Sequence, residues 1–152
     1  MTGTILTRKS KRTSANMIFA GLCAVLFFVL GAVYIVKLLG GGVKSYLTNA
    51  VYSFALSFEL LLLCLIFVDI RKSGRPFTKG VILKLRIMSL ILIAAGFMPS
   101  YVQIPLSENE FAVMISYNLQ NMLVTALGVV VWVISQVFVY GRELQEDNDL
   151  IA

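Results

Sequence analysis

The chain is expected to fold as an all-α polytopic membrane protein, with four transmembrane helices and both termini cytoplasmic. Three observations predict it. Long apolar stretches recur at about Met17–Leu39, Leu47–Val68, Val81–Tyr101 and Ala112–Val139, each near or above the ~20 residues that cross ~30 Å of hydrocarbon. Hydrophobic residues make up 59% and charged residues 14%, against soluble averages of about 45–50% and 25%. The basic residues are sorted onto alternate connections. Inside lipid the backbone must satisfy its own N–H and C=O groups, so each stretch should be helix. Four spans leave little room for anything else, and residues 1–152 are read as a single domain.

The first stretch follows Arg8, Lys9, Lys11 and Arg12. Its apolar run is too long for a cleaved export signal and lacks a small-residue cleavage site. Leu22 precedes Cys23 where a lipoprotein site would need a small residue, so an uncleaved anchor is expected. The second stretch contains Glu59. The third is free of charge only over Ile87–Tyr101. Lys84 and Arg86 can extend apolar stems and leave their charges among the head groups, which restores the length. Pro99 sits near the outer end, where breaking a helix costs little. The fourth stretch would be about 42 Å long as helix, so it must tilt or project beyond the bilayer. Tyr46, Tyr101 and Tyr140 suit an interfacial belt, and Trp132 lies deeper.

Of the 13 Lys and Arg residues, all but Lys37 and Lys44 fall before the first span, in the second-to-third connection and the start of the third helix, or just after the fourth. Basic residues in short loops stay cytoplasmic, which places both ends inside. The same rule explains the net charge of +5, and no direct nucleic-acid binding is expected. There is no histidine, which removes histidine metal ligands, haem ligation and histidine general bases together. Cys23 and Cys64, at similar depths in two spans, read as packed thiols. No phosphate-binding glycine loop, cysteine–histidine cluster or nucleophile elbow occurs. Ser57 and Ser135 have no base to activate them. No enzymatic activity, metal or cofactor is expected.

Glu59 is the one carboxylate inside a span, about 18 Å from Leu47. A charge at that depth costs at least ~2.5–3.5 kcal/mol on insertion scales, so it should face the bundle interior or lose its charge. Asn118, Asn121 and Thr125 share one face of the fourth helix, and Thr125 is nearly level with Glu59. An intramembrane polar cluster of Glu59, Asn118, Asn121 and Thr125 is therefore expected. It reads either as a proton- or cation-responsive site or as interhelical hydrogen bonding worth about 0.6–2 kcal/mol. Tyr52 and Ala55 share the Glu59 face; Gln120 points away. Small residues such as Ala20, Ala24, Gly31, Ala94, Ala95 and Gly96 permit close helix approach and leave a homo-oligomer open.

In the connection from Asp69 to Thr78, Gly74 and Pro76 should stop the second helix, Phe77 should lie on the interface, and Thr78 should cap the third helix. Its basic residues would meet anionic lipid or dock a protein. The acidic tail after Gly141 cannot fold alone. It would extend the fourth helix, lie on the basic loop, be ordered by a partner, or fray.

The Gly74-Arg-Pro-Phe77 turn after Asp69-Ile-Arg71 resembles the middle of a bacterial domain-of-unknown-function family of small four-helix membrane proteins. Gly141-Arg-Glu-Leu144 and Glu146-Asp-Asn-Asp149-Leu-Ile151 resemble that family's closing motif, with Leu150 where threonine is common. The resemblance implies the bacterial inner membrane. It also implies a partner, because such proteins are often encoded beside a small Cro/C1-type helix-turn-helix regulator. By motif the docking candidates are Gly74, Pro76, Phe77, Gly141, Leu144, Glu146 and Asp149. The expected function is a non-enzymatic regulatory or sensory partner of that cytoplasmic regulator, anchored in the lipid bilayer. Two alternatives stand beside it: a small proton-coupled exporter or channel using Glu59, and a structural subunit of a larger membrane complex.

Overall fold

In the computed structural model residues 2–41, 45–107 and 110–151 are described, with side chains over 14–41, 45–101, 114–148 and at Leu150. Helix α1 is Thr2–Leu39, α2 Ser45–Ser73, α3 Lys79–Gly96 and α4 Leu119–Ile151; strands β1 (Ser100–Ser107) and β2 (Glu110–Ser116) lie between α3 and α4. Three helical segments are long and apolar enough to cross a membrane: Ser14–Leu39, Ser45–Ser73 and Leu119–Asn148. Helix α3 is shorter. Lys79, Lys84 and Arg86 occupy its first half, leaving Ile87–Gly96, about 15 Å, free of charge.

The helical class stands, with corrected boundaries. The third stretch ends at Gly96 rather than Tyr101, and the fourth helix starts at Leu119 rather than Ala112. The segment 100–116 is an antiparallel hairpin, with Tyr101 paired to Ile115 and Gln103 to Val113. The physical cause is Pro99, which has no N–H and disfavours helix in the residue before it. Past it Val102, Ile104 and Leu106 alternate with Tyr101, Gln103 and Pro105, the two-residue period of a strand. The register slips between Pro105 and Ser107, where the proline cannot donate to the ladder. At the other end α4 runs through the acidic tail as continuous helix. The first helix also begins well before Met17, at Thr2.

Each helix packs mainly on its neighbours in sequence, antiparallel. On α1 and α2, Phe28 meets Phe54 edge-on at 5.5 Å between centroids. A Cβ at Gly31 would stand 3.0 Å from the Phe54 ring. Tyr34 stacks on Tyr46 at 6.1 Å. Between α2 and α3, Leu62, Ile66, Val81 and Met88 form the buried core, with Val131 and Phe138 of α4 packed against it. Helix α3 and the residues just after it lie along α2 from Gly80, beside Asp69, to Pro99, whose carbonyl accepts from Thr48 Oγ1 at 3.2 Å. From Thr48 to Asp69 is about 31 Å of helix.

Glycines let α3 and α4 approach closely. A Cβ at Gly96 would collide with Thr125 Oγ1 and stand 2.8 Å from its backbone nitrogen; one at Gly128 would stand 2.9 Å from Ile93 N. Among the described residues α1 makes no backbone approach to α3 or α4. The expected four-helix bundle is thus an open row, α1–α2–α3–α4. Its outer faces carry exposed Phe19, Leu22 and Leu26 on α1 and Leu123, Leu127, Val130 and Val133 on α4. Apolar surface on that scale needs lipid or protein to cover it.

Candidate functional site

One polar cluster and one docking surface were anticipated, and each takes a different form from the expected one. Asn118 is the residue before α4. Its Oδ1 accepts from Asn121 N, while Asn121 Oδ1 accepts from Asn118 N, both at 3.2 Å. This reciprocal pair is a capping box with asparagine in both positions, satisfying orphan donors at the start of α4. Asn121 Nδ2, with two hydrogens, has three acceptors within reach, Gly96 O at 3.2 Å and Met98 O at 2.5 Å at the end of α3 and Tyr52 Oη at 2.9 Å on α2, so one hydrogen is shared between two of them. Ser100 Oγ donates to Asn121 Oδ1 at 3.3 Å. One side chain, only 2% exposed, therefore caps two helices and holds a third. Thr125 Oγ1 bonds back to Asn121 O at 2.9 Å.

Glu59 is not part of this network. It lies two turns along α2 from Tyr52, about 10.5 Å. It is 7% exposed, and its Oε1 has no hydrogen-bond partner among the described residues. The expected grouping of Glu59 with Asn118, Asn121 and Thr125 is corrected: Asn118, Asn121 and Thr125 assemble at the start of α4 with Tyr52 and Ser100 instead. Asn121 binds near the hairpin end, because its acceptors are the unpaired carbonyls where α3 stops. Gln120 is exposed, as expected.

A second buried polar group was missed. Arg86 lies with its guanidinium 5.9 Å from the Trp132 ring centroid, and its Nε is buried without a partner among the described residues. Nearer the loop, Lys84 Nζ pairs with Asp69 Oδ2 at 2.5 Å and ties α3 to α2. Cys23 and Cys64 are free thiols, and Cys64 Sγ donates to Met17 O at 3.6 Å. Among the described residues no cluster of metal-ligating side chains occurs.

The α2–α3 loop is built as its residue types require. Helix α2 ends at Ser73, Gly74 takes φ +66°, and its N–H donates to Ile70 O at 2.9 Å. That left-handed conformation favours glycine. Thr78 caps α3, its Oγ1 accepting from Val81 N at 3.3 Å. Phe77 does not lie out on the interface. Its ring packs edge-on against Phe138 at 5.1 Å between centroids, and a Cβ at Gly141 would stand 3.0 Å from it. A bare glycine is what lets the loop seat on α4.

This seating brings the motif residues together. Gly74, Pro76 and Phe77 from the loop and Gly141, Leu144, Gln145 and Asn148 from α4 line one groove of about 490 Å³. A second recess of about 270 Å³, which shares Phe77 and Gln145 with the groove, includes Thr78, Lys79, Arg142 and Glu146. Glu146 is turned to Arg142, with Oε1 accepting from Nε at 2.8 Å and Nη2 at 2.6 Å. Asp149, also anticipated, lies outside the residues whose side chains are described. Searches among protein-family models, curated proteins and solved structures find nothing that matches this chain.

Proposed function

We propose that the chain is a four-span protein of the bacterial inner membrane with both termini cytoplasmic, and that its loop-side face docks a cytoplasmic protein. It acts as a non-enzymatic partner of a small helix-turn-helix regulator, held at the membrane and away from DNA. The observation that carries this reading is the seating of Phe77 on Phe138 and Gly141. It turns two motifs some sixty residues apart (about 77 to 141 along the chain) into one grooved surface. Helix α3 together with the residues to Pro99 supports a fourth crossing by running along α2 between Asp69 and Thr48. The charge sorting supports the orientation.

The groove offers Pro76, Phe77 and Leu144 as apolar contacts, with Gln145 and Asn148 as hydrogen-bonding groups. Such a surface suits the apolar stripe of a helix. Full-length tagged chain should co-purify with a small Cro/C1-type helix-turn-helix regulator, of the kind the resemblance implies, when the two are expressed together. Leu144→Glu should abolish that association while helix content stays unchanged. Equal recovery by wild type and Leu144→Glu would remove this face from the interaction.

A second reading has its own observation, the buried unpartnered Oε1 of Glu59. In it the chain moves protons or a cation across the bilayer. Proteoliposomes under a pH gradient, comparing wild type with Glu59→Gln, decide it: identical flux excludes transport through this carboxylate.

A further inference from the structure

The recess beside the docking groove has a different chemistry. Arg75, Lys79 and Arg142 surround it, with Glu146 as the acidic lining residue. Its volume of about 270 Å³ far exceeds the ~10–15 Å³ one water needs. Glu146 Oε1 takes two N–H groups of Arg142, and a guanidinium carries five, in a planar fork matched to phosphate oxygens. Thr78 and Lys79 begin α3, and the first N–H groups of a helix add partial positive charge in the same direction. Phe77, a wall of the recess, is held by Phe138, so the recess is backed by a packed ring.

We infer that this recess binds the phosphate of an anionic phospholipid head group between the α2–α3 loop and α4. The lipid source is favoured by place. The recess lies between the α2–α3 loop with the start of α3 and the α4 residues Arg142, Gln145 and Glu146, and the apolar faces of α3 and α4, with exposed Leu83, Leu90, Val133 and Val137, can take the acyl chains. A bound head group would bridge loop and helix and brace Phe77 against α4. The site does not depend on the docking of any protein, nor on which side of the membrane it faces.

The test uses the full chain in nanodiscs of phosphatidylcholine with and without phosphatidylglycerol, reading retained lipid by native mass spectrometry. Wild type should hold phosphatidylglycerol selectively. Each basic side chain removed should cost about five-fold in retention, from ~1 kcal/mol per residue, so Lys79→Gln with Arg142→Gln should cost ~25-fold. Lys72→Gln, an exposed cation at the end of α2 outside the recess, should cost clearly less than Lys79→Gln. Circular dichroism of each variant checks folding, and Lys79→Gln alone provides a milder second variant. Three outcomes overturn the inference: no selectivity in wild type, equal retention in the double variant, or an equal loss in Lys72→Gln. Displacement of the lipid by millimolar inorganic phosphate would also overturn it, as a free-anion site.

Discussion

Tyr52 and Glu59 lie two turns apart on one face of α2, both buried, and they meet opposite fates. Tyr52 Oη is taken by Asn121, whose side chain also closes α3 and starts α4. Glu59 Oε1 has no partner among the described residues. Inside an apolar helix row, polarity stabilises where helices end and leave carbonyls and N–H groups unpaired. Halfway along, a carbonyl already bonded within its helix can still accept from a hydroxyl, as Ala24 O does from Ser57 Oγ at 2.8 Å, but it offers a carboxylate no donor. The Asn121 site is architecture. A buried carboxyl oxygen without a partner, such as Glu59 Oε1, costs stability.

The largest effect expected from this contrast is at Asn121. Asn121→Leu strips partners from Gly96 O, Met98 O, Tyr52 Oη and Asn118 N, at about 1–3 kcal/mol for each buried group that finds no water. Reversible unfolding in mixed micelles should show a loss of about 3 kcal/mol or more. A neutral result would break the contrast. Next come the close approaches: Gly96→Ala and Gly128→Ala should each cost about 1–3 kcal/mol by overpacking against backbone atoms. At Glu59 the sign reverses. Glu59→Leu removes a carboxylate that costs ~2.5–3.5 kcal/mol to insert, and should stabilise by at least ~1 kcal/mol in the same assay. The smallest effect is Tyr52→Phe, a loss of about 1 kcal/mol. Combined with Glu59→Gln it should be additive within ~0.5 kcal/mol, because the two share no partner. A larger coupling energy would tie the two sites together.

Much of this was legible in the sequence. Helix existence followed from hydropathy and the loop from Gly74, Pro76 and Thr78, while contact between the loop and the tail was one of several arrangements the sequence left open. What stayed hidden had a common cause: apolar content says nothing about period over short runs. Ala112–Ser116 merged into the fourth helix because its residues are as apolar as a span, although Pro99 and the alternation after Tyr101 were visible. Asn118 and Asn121 share a helix face, which suggested an intramembrane cluster with Glu59. Their three-residue spacing just ahead of a long apolar run was a capping signal, and it would have placed them at a helix start. The seating of Phe77 on Gly141 depends on two residues far apart in sequence, and no local pattern announces it.

The proposed topology, with the loop and the α4 extension on one cytoplasmic face, is tested most directly by side-specific labelling. In a Cys23→Ala, Cys64→Ala background, Ser73→Cys, Gln145→Cys and Tyr117→Cys would each be exposed to a membrane-impermeant maleimide in right-side-out and inside-out vesicles. The account predicts that Ser73→Cys and Gln145→Cys label only when the cytoplasmic face is outward, and Tyr117→Cys only when it is inward. Labelling of Ser73→Cys and Gln145→Cys from opposite faces would contradict it.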